Sequence, residues 1–193
     1  MSNILFLAER SSSGSLSAPT ASLIAQATRL GTPVAVVVSD AASSAALVSE
    51  LGALGAAEVA LAHTSHTDLL VTPEVDALEA AIAQFSPTAV LIPNTVNGKE
   101  VAGRLAVRVG TSVLVDVVEV AGQGDSVVAT HSVFGGNYTV EASTSGSVAI
   151  LTMRQGSAGG RTHVSSPTVT EVSISPEYSL TGTITSRSAR SQE

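Results

Sequence analysis

The amino-acid sequence is 193 residues long, and its 44% hydrophobic content argues for one folded domain with a core rather than for a disordered chain. Sixteen acidic residues against nine basic ones give a formal net charge of −7, and Lys99 is the only lysine, so the chain lacks the basic surface with which proteins bind nucleic acid or anionic membranes. The absence of cysteine excludes disulfides, thiolate catalysis and cysteine-ligated metal centres.

The apolar runs of the chain predict neither export nor membrane insertion. The run in the opening MSNILFLAER is too short for a signal peptide. The longest run elsewhere, residues 34–38, is far shorter than the roughly 18 residues that a membrane-spanning helix needs. We therefore expect a cytoplasmic protein that does not insert into a membrane.

The first 110 residues alternate between strand and helix signals. Short, continuous apolar runs are typical of strands buried on both faces, and residues 4–8 should form the central one. The other predicted strands are 34–38, 58–62 and 89–92, and the last helix of this region is 98–109. Asn97 directly precedes that helix and is placed to cap it. Such alternation predicts a parallel sheet with right-handed crossovers.

Beyond Gly110 the helical period disappears and four β-rich runs follow. They are residues 112–120, 126–133, 138–144 and 148–153, separated by short turns. Because a short turn cannot house a parallel crossover, we expect these runs to form antiparallel hairpins appended to the parallel sheet. The predicted fold is therefore α/β with three layers, a mostly parallel, Rossmann-like sheet with helices on both faces and added hairpins.

The predicted domain organisation has two parts. Residues 1–154 form one α/β domain. Residues 155–193 form a segment rich in Ser, Thr and Gly with a single possible strand at 168–174.

Phosphate and metal motifs are weak. Gly122-Gln123-Gly124 begins like a dinucleotide fingerprint, but a β-rich run follows where a helix is required, which favours a hairpin turn. The loop that begins at His63 offers two imidazoles and a carboxylate, yet a surface loop is the better interpretation than a metal site. In the first β–α loop, residues 9–16, the serines and Gly14 could cradle a phosphate, and a polar turn is the alternative that we favour.

Catalytic constellations are also weak, and we predict no catalytic residue and no metal ligand. Serines are abundant, but no G-x-S-x-G elbow is present, which argues against a small hydrolase. Asp116 and Glu119 point to opposite faces if they share one strand, so they cannot act as a paired acid and base. We interpret Asp116 as a structural carboxylate that accepts hydrogen bonds, and a role in a functional site is the alternative.

The turn Phe134-Gly135-Gly136-Asn137 carries the strongest candidate for a contact surface. Two consecutive glycines permit positive φ or a close backbone approach, and Phe134 is the most conspicuous loop aromatic. Core packing of Phe134 is one interpretation, and contact with a partner protein is the other.

A set of segments in a fixed order resembles a known family. The run GKEVAGRLAVRVGTSVLVDVVE at 98–119, the segment THSVFGGN at 130–137 and AILTMR at 149–154 resemble the N-terminal domain of the electron transfer flavoprotein alpha subunit. The family often has Arg-Pro where this chain has His131-Ser132, and Arg-Pro-Gly where it has Arg154-Gln155-Gly156. These differences affect interface details rather than the fold.

The resemblance implies a Rossmann-like, adenine nucleotide alpha hydrolase-like fold and a supporting role. Family members form a heterodimer with a beta subunit and carry electrons on FAD from acyl-CoA and other primary dehydrogenases to a quinone oxidoreductase. It implies that FAD lies in a further domain, expected beyond Glu193, and that no cofactor binds to this chain alone. The implied interface candidates are Phe134, Gly135, Gly136, Asn137 and Arg154. A free-standing adenine-nucleotide-binding module, like a stress protein, is the alternative.

Overall fold

The computed structural model describes residues 2–11, 13–66, 68–123, 126–156, 166–175 and 181–186. The strands are β1 (Asn3–Leu7), β2 (Thr32–Ser39), β3 (Glu58–His63), β4 (Ala89–Pro93), β5 (Val113–Val117), β6 (Glu119–Gln123), β7 (Ser126–Val133), β8 (Tyr138–Ser143), β9 (Ala149–Met153) and β10 (Thr168–Val172). Seven parallel strands form one sheet in the order β10-β3-β2-β1-β4-β9-β5, and β6, β7 and β8 form a separate antiparallel sheet. The helices are α1 (Thr20–Leu30), α2 (Ser44–Ala53), α3 (Thr72–Phe85) and α4 (Val96–Val109).

Two apolar layers, one on each face of the parallel sheet, make up the core. On one face α1, α2 and the antiparallel sheet cover alternate residues of β1, such as Ile4 and Phe6. On the other face α3 and α4 cover Leu5 and Leu7. All four side chains are at most 1% exposed, which explains why the first strand is a continuous apolar run. The predicted three-layer α/β fold and the central place of β1 are confirmed.

The prediction that all four late runs pair antiparallel is wrong for two of them. β9 pairs in parallel with both β4 and β5, so the runs at 112–120 and 148–153 supply strands of the main sheet. The chain between β5 and β9 contains the whole antiparallel sheet, which takes the place that a crossover helix usually has. Each turn is short, but the full connection is long enough to join two parallel neighbours.

The run 112–120 is also broken in two. β5 ends at Val117 and β6 begins at Glu119, in a different sheet. The argument that Asp116 and Glu119 face opposite sides of one strand therefore does not apply. The two residues are still separated, because Asp116 lies in the parallel sheet and Glu119 in the antiparallel sheet.

The segment after 155 contributes a strand to the main sheet. β10 covers most of the predicted strand at 168–174 and pairs in parallel with β3 at the sheet edge. Farther along, the Gly182 carbonyl accepts a 2.8 Å hydrogen bond from the Leu70 amide, and the Ile184 amide donates to Asp68. The domain boundary at 154 stays a prediction. In the described part of the chain no helix has the length and apolar character needed to cross a membrane.

Candidate functional site

A cavity of about 400 Å³ lies at the carboxyl ends of β1, β2 and β3. The chain runs from β1 to β2 and β3 on one side, then returns to β4 on the other side of β1, so the sheet changes winding direction here. Open parallel sheets bind ligands at such a point. The loops after these strands meet the first turns of α3 and α4 around the cavity, and Ile184 closes part of it.

Two amides of the loop after β1 donate to carbonyl groups of the same loop. The Ser11 amide donates to the Ser15 carbonyl at 2.8 Å, and the Gly14 amide donates to the Ser11 carbonyl at 3.0 Å. The hydroxyls of Ser11, Ser13 and Ser15 lie within 2.8–3.1 Å of one another. A phosphate loop needs amides aimed at the ligand, so this geometry favours the polar turn.

The charges of the cavity are mostly negative. The Arg10 guanidinium lies 3.4 Å from an Asp40 oxygen and also donates to the Gly14 carbonyl. Glu9 and Glu74 add two more carboxylates to the lining. Among the described lining residues, one guanidinium faces three carboxylates, and this excess of negative charge repels a polyanion. These residues do not fit the pyrophosphate of a flavin dinucleotide, and no electron-transfer step is assigned to them.

Glu9 is a partly buried carboxylate of this cavity. Burial raises its pKa, while a 2.9 Å hydrogen bond from the Thr95 hydroxyl acts in the opposite direction. Thr95 Oγ1 also accepts a 2.8 Å hydrogen bond from the Gly98 amide, so Thr95 is the N-cap of α4. The prediction that Asn97 caps this helix is wrong, because the helix begins two residues earlier and leaves Asn97 inside its first turn, on the cavity wall.

We predict that Glu9→Gln stabilises the fold at neutral pH. A carboxyl whose folded pKa is raised contributes stability below its unfolded value, near 4.5, and that contribution is lost as the pH rises through the folded pKa. Glutamine can still accept the Thr95 hydrogen bond and has no charge to desolvate. Urea unfolding should show a more stable variant at pH 7 and equal stabilities near pH 4. The control is Glu100→Gln, on the exposed face of α4, and equal gains in both variants would contradict the prediction.

The two histidines of the loop that begins at His63 lie in different surroundings. His63 lies 3.7 Å from Glu171 of β10, whereas His66 lines the cavity. Among the residues that the structure describes, no three His, Asp or Glu side chains converge as a metal would require.

The glycine turn lies between β7 and β8 and carries an exposed aromatic pair. Gly135 and Gly136 have φ of 68° and 91°, as their position predicts, and Phe134 itself has φ of 52°. The Phe134 side chain is 79% exposed, which excludes core packing. Its ring meets Tyr138 edge to face at 5.7 Å. Val140, on the same face of β8 as Tyr138, is also exposed. We call Phe134, Tyr138 and Val140 the hairpin patch.

Arg154, the fifth predicted interface residue, lies at the end of β9. Its guanidinium donates to both carboxylate oxygens of Asp116, at 3.0 and 2.6 Å, and to the Ser132 carbonyl at 3.0 Å. The structure therefore places Arg154 next to the end of β7, two residues before Phe134. The interface role of all five residues stays a prediction.

Asp116 is held by a closed ring of hydrogen bonds. Its amide donates to Thr152 Oγ1 at 2.9 Å, the Thr152 hydroxyl donates to Asn94 at 2.9 Å, and the Asn94 amide group donates back to Asp116 Oδ1 at 2.7 Å. The hydrogen bonds and charge of Arg154 lower the pKa of Asp116, and Lys99 and His131 add to this effect. Asp116 is the structural carboxylate that we predicted.

Sequence reasoning missed two members of this ring. Thr152 is fully buried and is the only polar side chain in the strand AILTM, and Asn94 follows the apolar strand β4 directly. A polar residue inside or next to a buried strand needs a partner, and this was the available signal.

Comparison with known proteins places the chain in a family. The model of the electron transfer flavoprotein domain matches residues 4–177. An electron transfer flavoprotein subunit alpha of Mycobacterium tuberculosis (strain CDC 1551 / Oshkosh) is 44% identical over 157 residues, and that of Mycobacterium leprae (strain TN) is 43% identical. Each match covers 81% of this chain and 48% of the relative, so the matched part spans about half the length of these relatives. The chain belongs to the electron transfer flavoprotein family, and the relatives that it matches are alpha subunits.

Proposed function

We propose that this chain is the scaffold and beta-subunit-docking domain of an electron transfer flavoprotein alpha subunit. The complete heterodimer would carry electrons on FAD from acyl-CoA and other primary dehydrogenases to a quinone oxidoreductase, with the flavin outside the residues described above. In this proposal the chain performs no catalysis and binds no cofactor by itself. Its cytoplasmic location stays a prediction.

One observation carries the docking proposal: an exposed phenylalanine in a strained conformation. A bulky residue at positive φ costs energy, and exposure of its ring means that no core packing offsets that cost. The Phe134 ring contacts Tyr138, and Val140 is exposed on the same strand, β8. Among the described strands, β8 pairs only with β7, so its other edge is open. Exposed aromatics beside an open strand edge are typical of a protein-binding surface.

The test is association with a matching beta subunit. We expect the purified chain and the beta subunit to form a one-to-one complex in sedimentation velocity at moderate salt. Titration calorimetry would then give the affinity. A beta subunit that sediments alone at micromolar concentrations of both proteins would contradict the proposal.

The cavity is the observation that favours the alternative, an adenine-nucleotide-binding module. The cavity lies where a parallel sheet can bind a nucleotide. Its three carboxylates would repel the phosphate, and the Ser11 and Gly14 amides already donate within their own loop. We predict that the chain purifies without colour and that millimolar AMP or FAD leaves its melting temperature unchanged. A stoichiometric flavin spectrum, or a melting temperature that rises with AMP as mass action requires, would support the alternative instead.

A further inference from the structure

The two ends of strand β7 are anchored differently. Its first half is fixed by the core, because Val127 and Ala129 are at most 7% exposed and pack below the parallel sheet. Its second half, from His131 to Val133, is only half-buried and contributes no side chain to either core cluster. The patch residue Phe134 follows this second half directly.

The guanidinium of Arg154 reaches this weakly anchored end. It is bidentate to Asp116 in β5 and donates to the Ser132 carbonyl in β7, so one side chain ties the two sheets together. Bidentate, charge-assisted pairs are the strongest and most geometrically selective hydrogen bonds that side chains make. A backbone hydrogen bond joins the Val118 amide to the Thr130 carbonyl, two residues farther from the turn than Ser132.

A bulge in β5 aims Asp116 at Arg154. The pairing of β5 with β9 shifts between Leu114 and Val117, and Asp116 has φ of 63° within that shift. Bulges of this kind redirect a side chain and persist when the surroundings hold them. The ring through Asn94 and Thr152 supplies that support from the interior of the sheet.

We propose that Arg154 and Asp116 are positioning residues that set the orientation of the hairpin patch relative to the parallel sheet. Arg154 thus acts on docking through geometry and not by touching the beta subunit. This inference rests on the proposed docking function, but the orientation itself can be measured without a partner.

The experiment uses the absence of native cysteine. Spin labels at Val107→Cys on α4 and Thr139→Cys on β8 report the distance from the core to the patch end, since Thr139 pairs with Ser132. A second pair, Val107→Cys with Ser143→Cys, reports the core-anchored end, where Ser143 pairs with Val128. All three positions are exposed. Double electron–electron resonance is recorded on each pair with Arg154, with Arg154→Gln and with Arg154→Lys.

We expect Arg154→Gln to broaden the distance distribution at Thr139 and to leave that at Ser143 unchanged. Lysine keeps the charge but cannot form all three hydrogen bonds of the guanidinium, so Arg154→Lys should also broaden the distance distribution at Thr139. The matched control is Arg104→Gln, which breaks an exposed ion pair with Glu100 on α4 and should change neither distribution. Unchanged distributions in Arg154→Gln, or equal broadening at both ends, would overturn the proposal.

Docking then separates the inference from the proposed function. If the unmodified chain binds the beta subunit, both Arg154 variants should bind about tenfold more weakly, the change expected from loss of one charge-assisted pair. Full rescue by lysine would indicate direct charge contact and overturn positioning. If the unmodified chain does not bind, the docking function fails, while the distance measurements still decide whether Arg154 holds the hairpin.

Discussion

Gly98→Ala is expected to destabilise the fold by about 3 kcal/mol, the upper end of the usual cost of overpacking. A Cβ at this position in the first turn of α4 would clash with the Pro93 carbonyl and lie 3.0 Å from Thr95 Oγ1. Both neighbours are fixed, because Pro93 ends the buried strand β4 and Thr95 caps the helix through the Gly98 amide. Relief of the clash therefore requires the helix to move away from the sheet or the cap to break.

Urea unfolding followed by circular dichroism measures this effect, and Gly103→Ala is the matched control. Gly103 lies in the same helix, and a Cβ there meets nothing within 4 Å. The same substitution should stabilise the fold by about 0.5–1 kcal/mol, because alanine favours the helix over glycine. Opposite signs for the two variants would assign the cost at Gly98 to close packing. A loss of less than about 1 kcal/mol in Gly98→Ala would contradict the structure.

Phe134→Asn is expected to weaken docking of the beta subunit by about 2 kcal/mol, roughly thirtyfold in affinity, as for a central aromatic contact. The fold should keep its stability within about 0.5 kcal/mol or gain slightly, because asparagine tolerates the positive φ of this position and the ring packs against no core residue. Loss of binding together with retained stability distinguishes a contact residue from a structural one.

Calorimetric titration of the beta subunit checks this prediction, with Val107→Asn as the control. Val107 is 83% exposed on α4, which packs on the face of the parallel sheet opposite the antiparallel sheet, and its loss should leave docking unchanged. Equal affinities for Phe134→Asn and the unmodified chain would remove the hairpin patch from the interface. An equal loss in both variants would indicate a general effect of lost apolar surface.

The parallel half of the fold could be predicted because its signals are local. Each buried strand is a short apolar run, each helix shows its apolar stripe, and the order of the units implies the crossovers. The pairing of β9 with β4 and β5 could not be predicted in this way. Residues such as Ile150 and Leu151 show the same apolar pattern whether their neighbours run parallel or antiparallel, and partner strands distant in sequence leave no mark on it.

The candidate site was predictable only in its residue types. Asp116 stands out in an apolar run, but its positive φ and its link to Arg154 depend on a bulge that forms only when β5 meets β9. Likewise, Thr95 and Asn97 are both good capping residues, and the choice between them depends on where strand β4 releases the chain. The exposure of Phe134 follows from the position of its turn in the separate antiparallel sheet. The residues around Phe134 do not indicate to which sheet the turn belongs.

The edge strand β10 has a consequence for aggregation. It covers β3, whose residues Val59 and Ala60 are fully buried, and it is only five residues long, with Thr168 and Glu171 exposed beside a single exposed apolar residue, Val169. Short strands with polar and charged side chains are poor templates for edge-to-edge growth, whereas an uncovered apolar strand is a good one. A chain cut at residue 154 would uncover the edge of β3, so the last strand of the sheet also serves to keep neighbouring molecules apart.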